Sequence, residues 1–291
     1  MGNFPVPFFI ILHMKNLLLS IFVILLFTQC GNSKKENAEN KSASKNDWEL
    51  VWSDEFDQDN INPDNWNFVL WDAGRVNNEW QKYIKDTSNY EISDGKLYII
   101  ATKTGENEKG GYSSTRLNTK GKQEFKYGRI EFRAKMPASH ARGTWPALWM
   151  LGADHDEAGW PKCGEIDIME YVGFQPDTTH TNVHTQYQHG VTDFHGVTPL
   201  ATAEEEFHNY GIIWNQDSIK FYLDTPENVT NIYAPEVKTE DNWPFDQPFY
   251  LIMNFAVGGA WGGKNGVDET VFPQSMIVDY VRVYQKHDSI Q

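Results

Sequence analysis

Apolar and polar side chains alternate with a period of two along much of this chain, and sustained helical periodicity is absent. From Gly128 to Pro137, Ile130, Phe132, Ala134 and Met136 fall on one face and Arg129, Glu131, Arg133 and Lys135 on the other. Ile219, Phe221 and Leu223 alternate with Lys220, Tyr222 and Asp224 in the same way. Successive side chains on a strand point to opposite faces, so each run predicts a half-buried strand. Further strands are predicted over Lys96 to Thr104, Thr144 to Leu151, Asn182 to Gln186, His208 to Trp214, Tyr250 to Val257 and Met276 to Tyr284. Asn228 to Trp243 reads as a longer surface loop. Many strands divided by turn residues predict an all-β sandwich.

The beginning of the chain breaks this pattern. Leu17 to Phe27 is apolar except for Ser20, follows Lys15, and is too short to span a bilayer, which predicts a secretory signal peptide. Met14 then reads as the natural start, with residues 1–13 an upstream extension. Cys30 follows the apolar stretch in the place of a lipidated cysteine, although Gln29 stands where a small residue is usual. Residues 31–46 are polar, lack any large apolar side chain, and predict a flexible tether. Residues 47–287 show no linker or repeat and predict one domain. The expectation is an exported monomer on the outer membrane of a Gram-negative bacterium, touching the membrane only through Cys30.

Charge and composition narrow the partners. The formal charge of −15 argues against nucleic acid and, more weakly, against a sulfated polysaccharide. Aromatic residues make up 14% of the chain, with 11 Trp, which suits a sugar-binding groove, though any single Trp more often ends in a core. With Cys30 set apart, Cys163 is alone, so no intrachain disulfide is available and the domain must rely on its core.

The chemistry concentrates in Glu165-Ile166-Asp167-Ile168-Met169-Glu170, which sets three acids in strand-forming company. Glu165 and Asp167 share a face, and Glu170 joins them only if a β-bulge near Ile168 and Met169 inserts one residue. The outer α-carbons then lie roughly 13 Å apart, and two inward-reaching glutamates leave roughly 5 Å between carboxylates. Glycosidases that retain anomeric configuration need about 5 to 5.5 Å, inverting ones about 6.5 to 9.5 Å. The competing readings are a calcium site and a plain acidic strand. Calcium loops space their ligands through turn residues and a glycine, and several unpaired buried carboxylates are costly, so catalysis accounts best for the run.

Beyond this run, ordered motifs resemble the family 16 glycoside hydrolases, in particular their bacterial laminarinase-like members. They are Val51-Trp52-Ser53-Asp54-Glu55-Phe56, Asn77-Asn78-Glu79-Trp80-Gln81 with Tyr83, Asp94-Gly95-Lys96-Leu97, and Tyr127-Gly128-Arg129-Ile130-Glu131. Gly143-Thr144-Trp145-Pro146-Ala147-Leu148-Trp149-Met150, Asn254-Phe255-Ala256-Val257-Gly258-Gly259 with Trp261, and Val278-Asp279-Tyr280-Val281-Arg282-Val283-Tyr284 complete the set. The resemblance implies a concanavalin-like β-jelly-roll sandwich of two antiparallel sheets, with an open cleft on the concave face. It further implies a retaining endo-hydrolase of β-glucan that needs no catalytic cofactor. By position, Glu165 resembles the nucleophile, Glu170 the acid/base, and Asp167 the residue that sets the nucleophile's ionisation. Trp145, Trp149, His184, Asn78, Arg75 and Trp261 match sugar-contacting positions, and Glu55, Gly95 and Asp279 match a structural calcium site. Trp80 departs from the family pattern, which puts the shape of a subsite in question.

Two other readings stay open on the sequence. One is a galactan hydrolase of the agarase or carrageenase kind, and the other a surface glycan-binding protein without turnover. The paired tryptophans, Asn77-Asn78-Glu79 and the negative charge speak against the first, and the intact set of three acids against the second.

Overall fold

The structure, a computed structural model, describes residues 48–286. The expected signal peptide, Cys30 and tether lie outside the described residues. Within them, strands Trp48–Asp54 through Gln274–Lys286 form two sheets that close on a common core as a β-jelly-roll sandwich. One sheet runs in the order Gly196–Pro199, Thr178–His184, Glu165–Glu170, Thr144–Gly152, Phe249–Val257, Arg116–Asn118, Asn67–Phe68, with Glu124–Phe125 beside Phe249–Val257. The other holds Gln274–Lys286 between Gly128–Lys135 on one side and Lys96–Lys103 and Trp48–Asp54 on the other. Pairing is antiparallel except between Gln81–Tyr83 and Tyr112–Ser114, which run parallel.

Alternation in the sequence becomes burial. Ile130, Phe132 and Ala134 meet Leu148, Met150, Ile166, Met169, Leu251 and Phe255 in one cluster, all at most 1% exposed. Each large apolar side chain so removed from water contributes about 1.5 to 3 kcal/mol before chain entropy is counted. The polar face is less wet than its pattern suggests: Glu131 is buried, accepting hydrogen bonds from the hydroxyls of Tyr222 (2.8 Å) and Tyr280 (2.9 Å).

The structure corrects the expected loop over residues 228–243, which contains the strand Val229–Tyr233 paired to Ile219–Leu223. It is an edge strand whose exposed Val229 and Ile232 blur the alternation. The strand expected from Asn182 begins at Thr178 and ends at His184. Trp80 packs at the core's edge, 6.2 Å from the Tyr112 ring, and is not on the groove wall.

Antiparallel register aligns one transverse row across the first sheet: His180, Glu170, Ala147, Asn254 and Arg116 stand opposite one another on five neighbouring strands. The acidic strand enters from Gly164, at φ +78°, where an added Cβ would meet Pro244 Cγ at 2.7 Å. Only glycine fits that turn without displacing its neighbours.

Candidate active site

The bulge falls where the acids require it. Ala147 pairs with Glu170 and Trp149 with Asp167, so two steps on one strand match three on the other. The extra residue restores Glu170 to the face of Glu165 and Asp167, and all three line one groove of about 900 Å³. Ile166, Ile168 and Met169 point into the core and hold the strand down.

Each glutamate has an indole donor, while Asp167 Oδ2 is buried with no hydrogen-bond partner among the described residues. Trp160 gives its indole N–H to Glu165 Oε2 at 3.1 Å, and Trp145 gives its own to Glu170 Oε1 at 2.9 Å. His184 Nε2 lies 3.1 Å from Asp167 Oδ2 and 3.6 Å from Glu165 Oε1. Gly190 donates its backbone N–H to His184 Nδ1 at 3.1 Å. A ring nitrogen that accepts carries no proton, so the neutral imidazole is protonated on Nε2, toward the acids. The ligand atoms of Glu165, Asp167 and His184 lie within 4.8 Å of one another, a spacing that would suit a metal. That tautomer leaves no Nε2 lone pair for one.

Burial is the first cause that pushes the carboxyls of Glu165, Asp167 and Glu170 up to about 8. The charge of Asp167 adds to the rise for both glutamates. His184 and Arg116 oppose it at Glu165, while the Trp145 hydrogen bond and His184 oppose it at Glu170. Three close carboxyls in a poorly hydrated groove do not all ionise together, so one member retains a proton while another is charged.

Other expected contacts divide. Trp145, Trp149, His184 and Trp261 line the groove. Asn78 is exposed and off its lining, whereas Asn77 is on it. Arg75 also lies off the lining, with its guanidinium 5.0 Å from the Trp71 ring. Cys163 is a buried thiol whose pKa burial raises to about 12, an inert neighbour of Glu165.

Sequence reasoning missed Trp160 and Arg116. Trp160 comes from the turn before the acidic strand, where no period marks it. Arg116 is buried between Trp71 (4.4 Å) and Trp149 (4.7 Å), and its Nε has no partner among the described residues. Its strand, Arg116–Asn118, is too short to show alternation.

Far from the groove, the register brings Glu55, Gly95 and Asp279 together. Val278 pairs with Leu97 and Val281 with Asp54, so the strand edge passes from one partner to the next at Asp279, which sits in a bulge. Arg282 takes both Glu55 oxygens, and Arg133 takes Asp279 Oδ2 at 3.0 Å. Main-chain carbonyls and the Asp279 carboxylate are hard oxygens that fit calcium, in competition with Arg133.

Residues 70–282 match the family model for glycosyl hydrolases family 16. A beta-glucanase of Rhodothermus marinus is 44% identical over 250 residues, covering 82% of this chain and 85% of that protein. Glucan endo-1,3-beta-glucosidase A1 of Niallia circulans is 38% identical, over 81% of this chain and 38% of its own length. The crystal structure of laminarinase from Flavobacterium sp. UMI-01 superposes with a TM-score of 0.74 at 44% identity, covering 81% of this chain and 100% of that one.

Proposed function

This chain belongs to family 16 of the glycosyl hydrolases, and from that premise we propose that it cleaves β-1,3-glucosidic bonds within a laminarin-type glucan by double displacement. The observation that carries the reading is the bulged strand, which turns three carboxyls into one open groove and sets an indole N–H on each of the two glutamates.

Glu165, ionised, attacks the anomeric carbon while Glu170 passes its proton to the departing glycosidic oxygen. A glycosyl-enzyme ester forms, and Glu170, now charged, takes a proton from the water that releases the sugar. Asp167 supports this cycle by raising the proton affinity of Glu170 while the Trp160 and His184 N–H groups favour charge on Glu165. The indoles of Trp145, Trp149 and Trp261 offer flat apolar faces to sugar rings, and the acidic groove favours a neutral glycan.

Chromatography of the products from laminarin, lichenan and agarose tests this reading. Laminarin is expected to yield short oligosaccharides early, and Glu165→Ala or Glu170→Ala to lose roughly 10⁴-fold or more in kcat. No product from any β-glucan overturns it.

A calcium ion held by the main chains of Glu55 and Gly95 with Asp279 is proposed as a structural clamp on the far side of the fold, with no part in the chemistry. Lipidation at Cys30, an outer-membrane location and a monomeric state are proposed from the sequence.

A further inference from the structure

A histidine pair stands next to Glu170, toward the Gly196–Pro199 edge of the groove. His180 Nδ1 and His195 Nε2 are 3.0 Å apart, with the rings stacked at 5.0 Å and 20°. His180 is 1% exposed and is the cross-strand partner of Glu170, while His195 is exposed and lines the groove. One hydrogen lies between the two rings, and its owner follows from the far side of His180. His180 Nε2 is shut from water with no partner among the described residues. A bare lone pair is tolerated there more readily than a stranded N–H. His180 therefore keeps its proton on Nδ1 and donates it to His195, whose own proton must sit on Nδ1. Burial keeps both rings neutral, holding His180 down to about 4 and His195 below its usual range.

Trp261 joins this pair to the chemistry. Its ring meets His180 edge-on at 4.9 Å, His195 at 6.0 Å and Trp145 at 5.5 Å, and Trp145 hydrogen-bonds Glu170. The groove crosses the strands, with Arg116 toward one end and His195, just before the edge strand Gly196–Pro199, toward the other. Trp160 and His189 pack together at Glu165, whereas Trp145 and Trp261 lead from Glu170 to His195. The sugar on the leaving side of the bond must begin within hydrogen-bond reach of the proton donor Glu170.

We propose that His195 donates its Nδ1–H to a hydroxyl of the glucosyl unit on the leaving-group side, and that His180 is the positioning residue that fixes this donor. The inference rests on the β-glucan reading above. One neutral hydrogen bond of this kind is equivalent to about a three- to tenfold change in affinity.

The test compares laminarin oligosaccharides with an aryl β-laminaribioside, whose leaving group carries no sugar. His195→Phe is expected to lower the ratio of kcat/KM on the oligosaccharide to that on the aryl substrate by about three- to tenfold, mainly through KM. His195→Gln, which keeps an N–H donor, should recover most of the ratio. His180→Phe should reproduce the loss, and His180→Gln, still able to donate to His195, should reverse it. Equal losses on both substrates, or an unchanged ratio in His195→Phe, overturn the proposal. If circular dichroism shows His180→Phe unfolded, the exposed His195 variants decide alone. Inactivity of the wild-type enzyme on every β-glucan would instead remove the reading beneath it.

Discussion

Gly190 hands its main-chain N–H to His184 Nδ1 at 3.1 Å, and this single bond determines what the ring presents to the acids. Because Nδ1 is filled, Nε2 carries the proton and lies 3.1 Å from Asp167 Oδ2 and 3.6 Å from Glu165 Oε1, its positive end toward the acids.

His184→Ala removes that N–H and its charge effect on Glu165. An N–H beside a carboxylate favours its charged form, so its loss raises the proton affinity of Glu165. The acidic limb of the kcat/KM profile is expected to move to higher pH, with kcat down roughly ten- to a hundredfold. EDTA should leave the kcat of the native enzyme unchanged at a temperature far below melting. A chelator-induced loss of kcat restored by zinc would contradict the tautomer.

Asp167→Asn removes a negative charge that raises Glu170. The proton donor then loses its proton at lower pH, and the basic limb, expected near 8 in the native enzyme, moves toward acid. A pH profile of kcat/KM on laminarin measures this, and an unmoved basic limb would show that the charge of Asp167 is not felt at Glu170.

Trp160→Phe keeps an aromatic ring over the nucleophile but deletes the hydrogen bond to Glu165. Trp160 is 47% exposed, so stability should change by no more than about 0.5 kcal/mol. Activity should fall about three- to tenfold, with the acidic limb displaced upward. Kinetics and thermal melting, measured on the same sample, separate the two effects.

Glu170→Gln tests the energetic side of the groove. Burial lifts the native pKa of Glu170 to about 8, above its ordinary 4.5, so the folded state holds a proton that the unfolded state has released between those values. Stability contributed by the protonated carboxyl is therefore lost as pH rises through this window. Gln never ionises, so the variant should melt higher than wild type by a margin that is larger at pH 8 than at pH 5. Equal margins would mean that Glu170 ionises freely in the native protein.

Long strands were legible because their faces differ. Gly128–Lys135 and Ile219–Leu223 bury the side chains their alternation assigned to the core. The bulge could be read from the acids because Glu170 fails the parity that Glu165 and Asp167 keep. Strands of two or three residues, such as Asn67–Phe68 and Arg116–Asn118, carry no period and were invisible, and Arg116 was lost with them. Trp160 was missed for a related reason: its role comes from a turn that folds back over Glu165, and turns impose no spacing on side chains. The contrast between Asn77 and Asn78 was beyond the sequence too, since both residues adopt positive φ and only the backbone path decides which one faces the groove.

The late strands have a consequence for biogenesis. Phe249–Val257 fills the middle of one sheet and Gln274–Lys286 the middle of the other, so a nascent chain that has not reached them offers two open slots with unsatisfied edges. Neither sheet is complete until Phe249–Val257 and Gln274–Lys286 have been made, and Asn254, the bridge between Ala147 and Arg116, arrives with the first of them. Assembly therefore waits for these two strands, and a fragment truncated before residue 249 should be sticky and inactive.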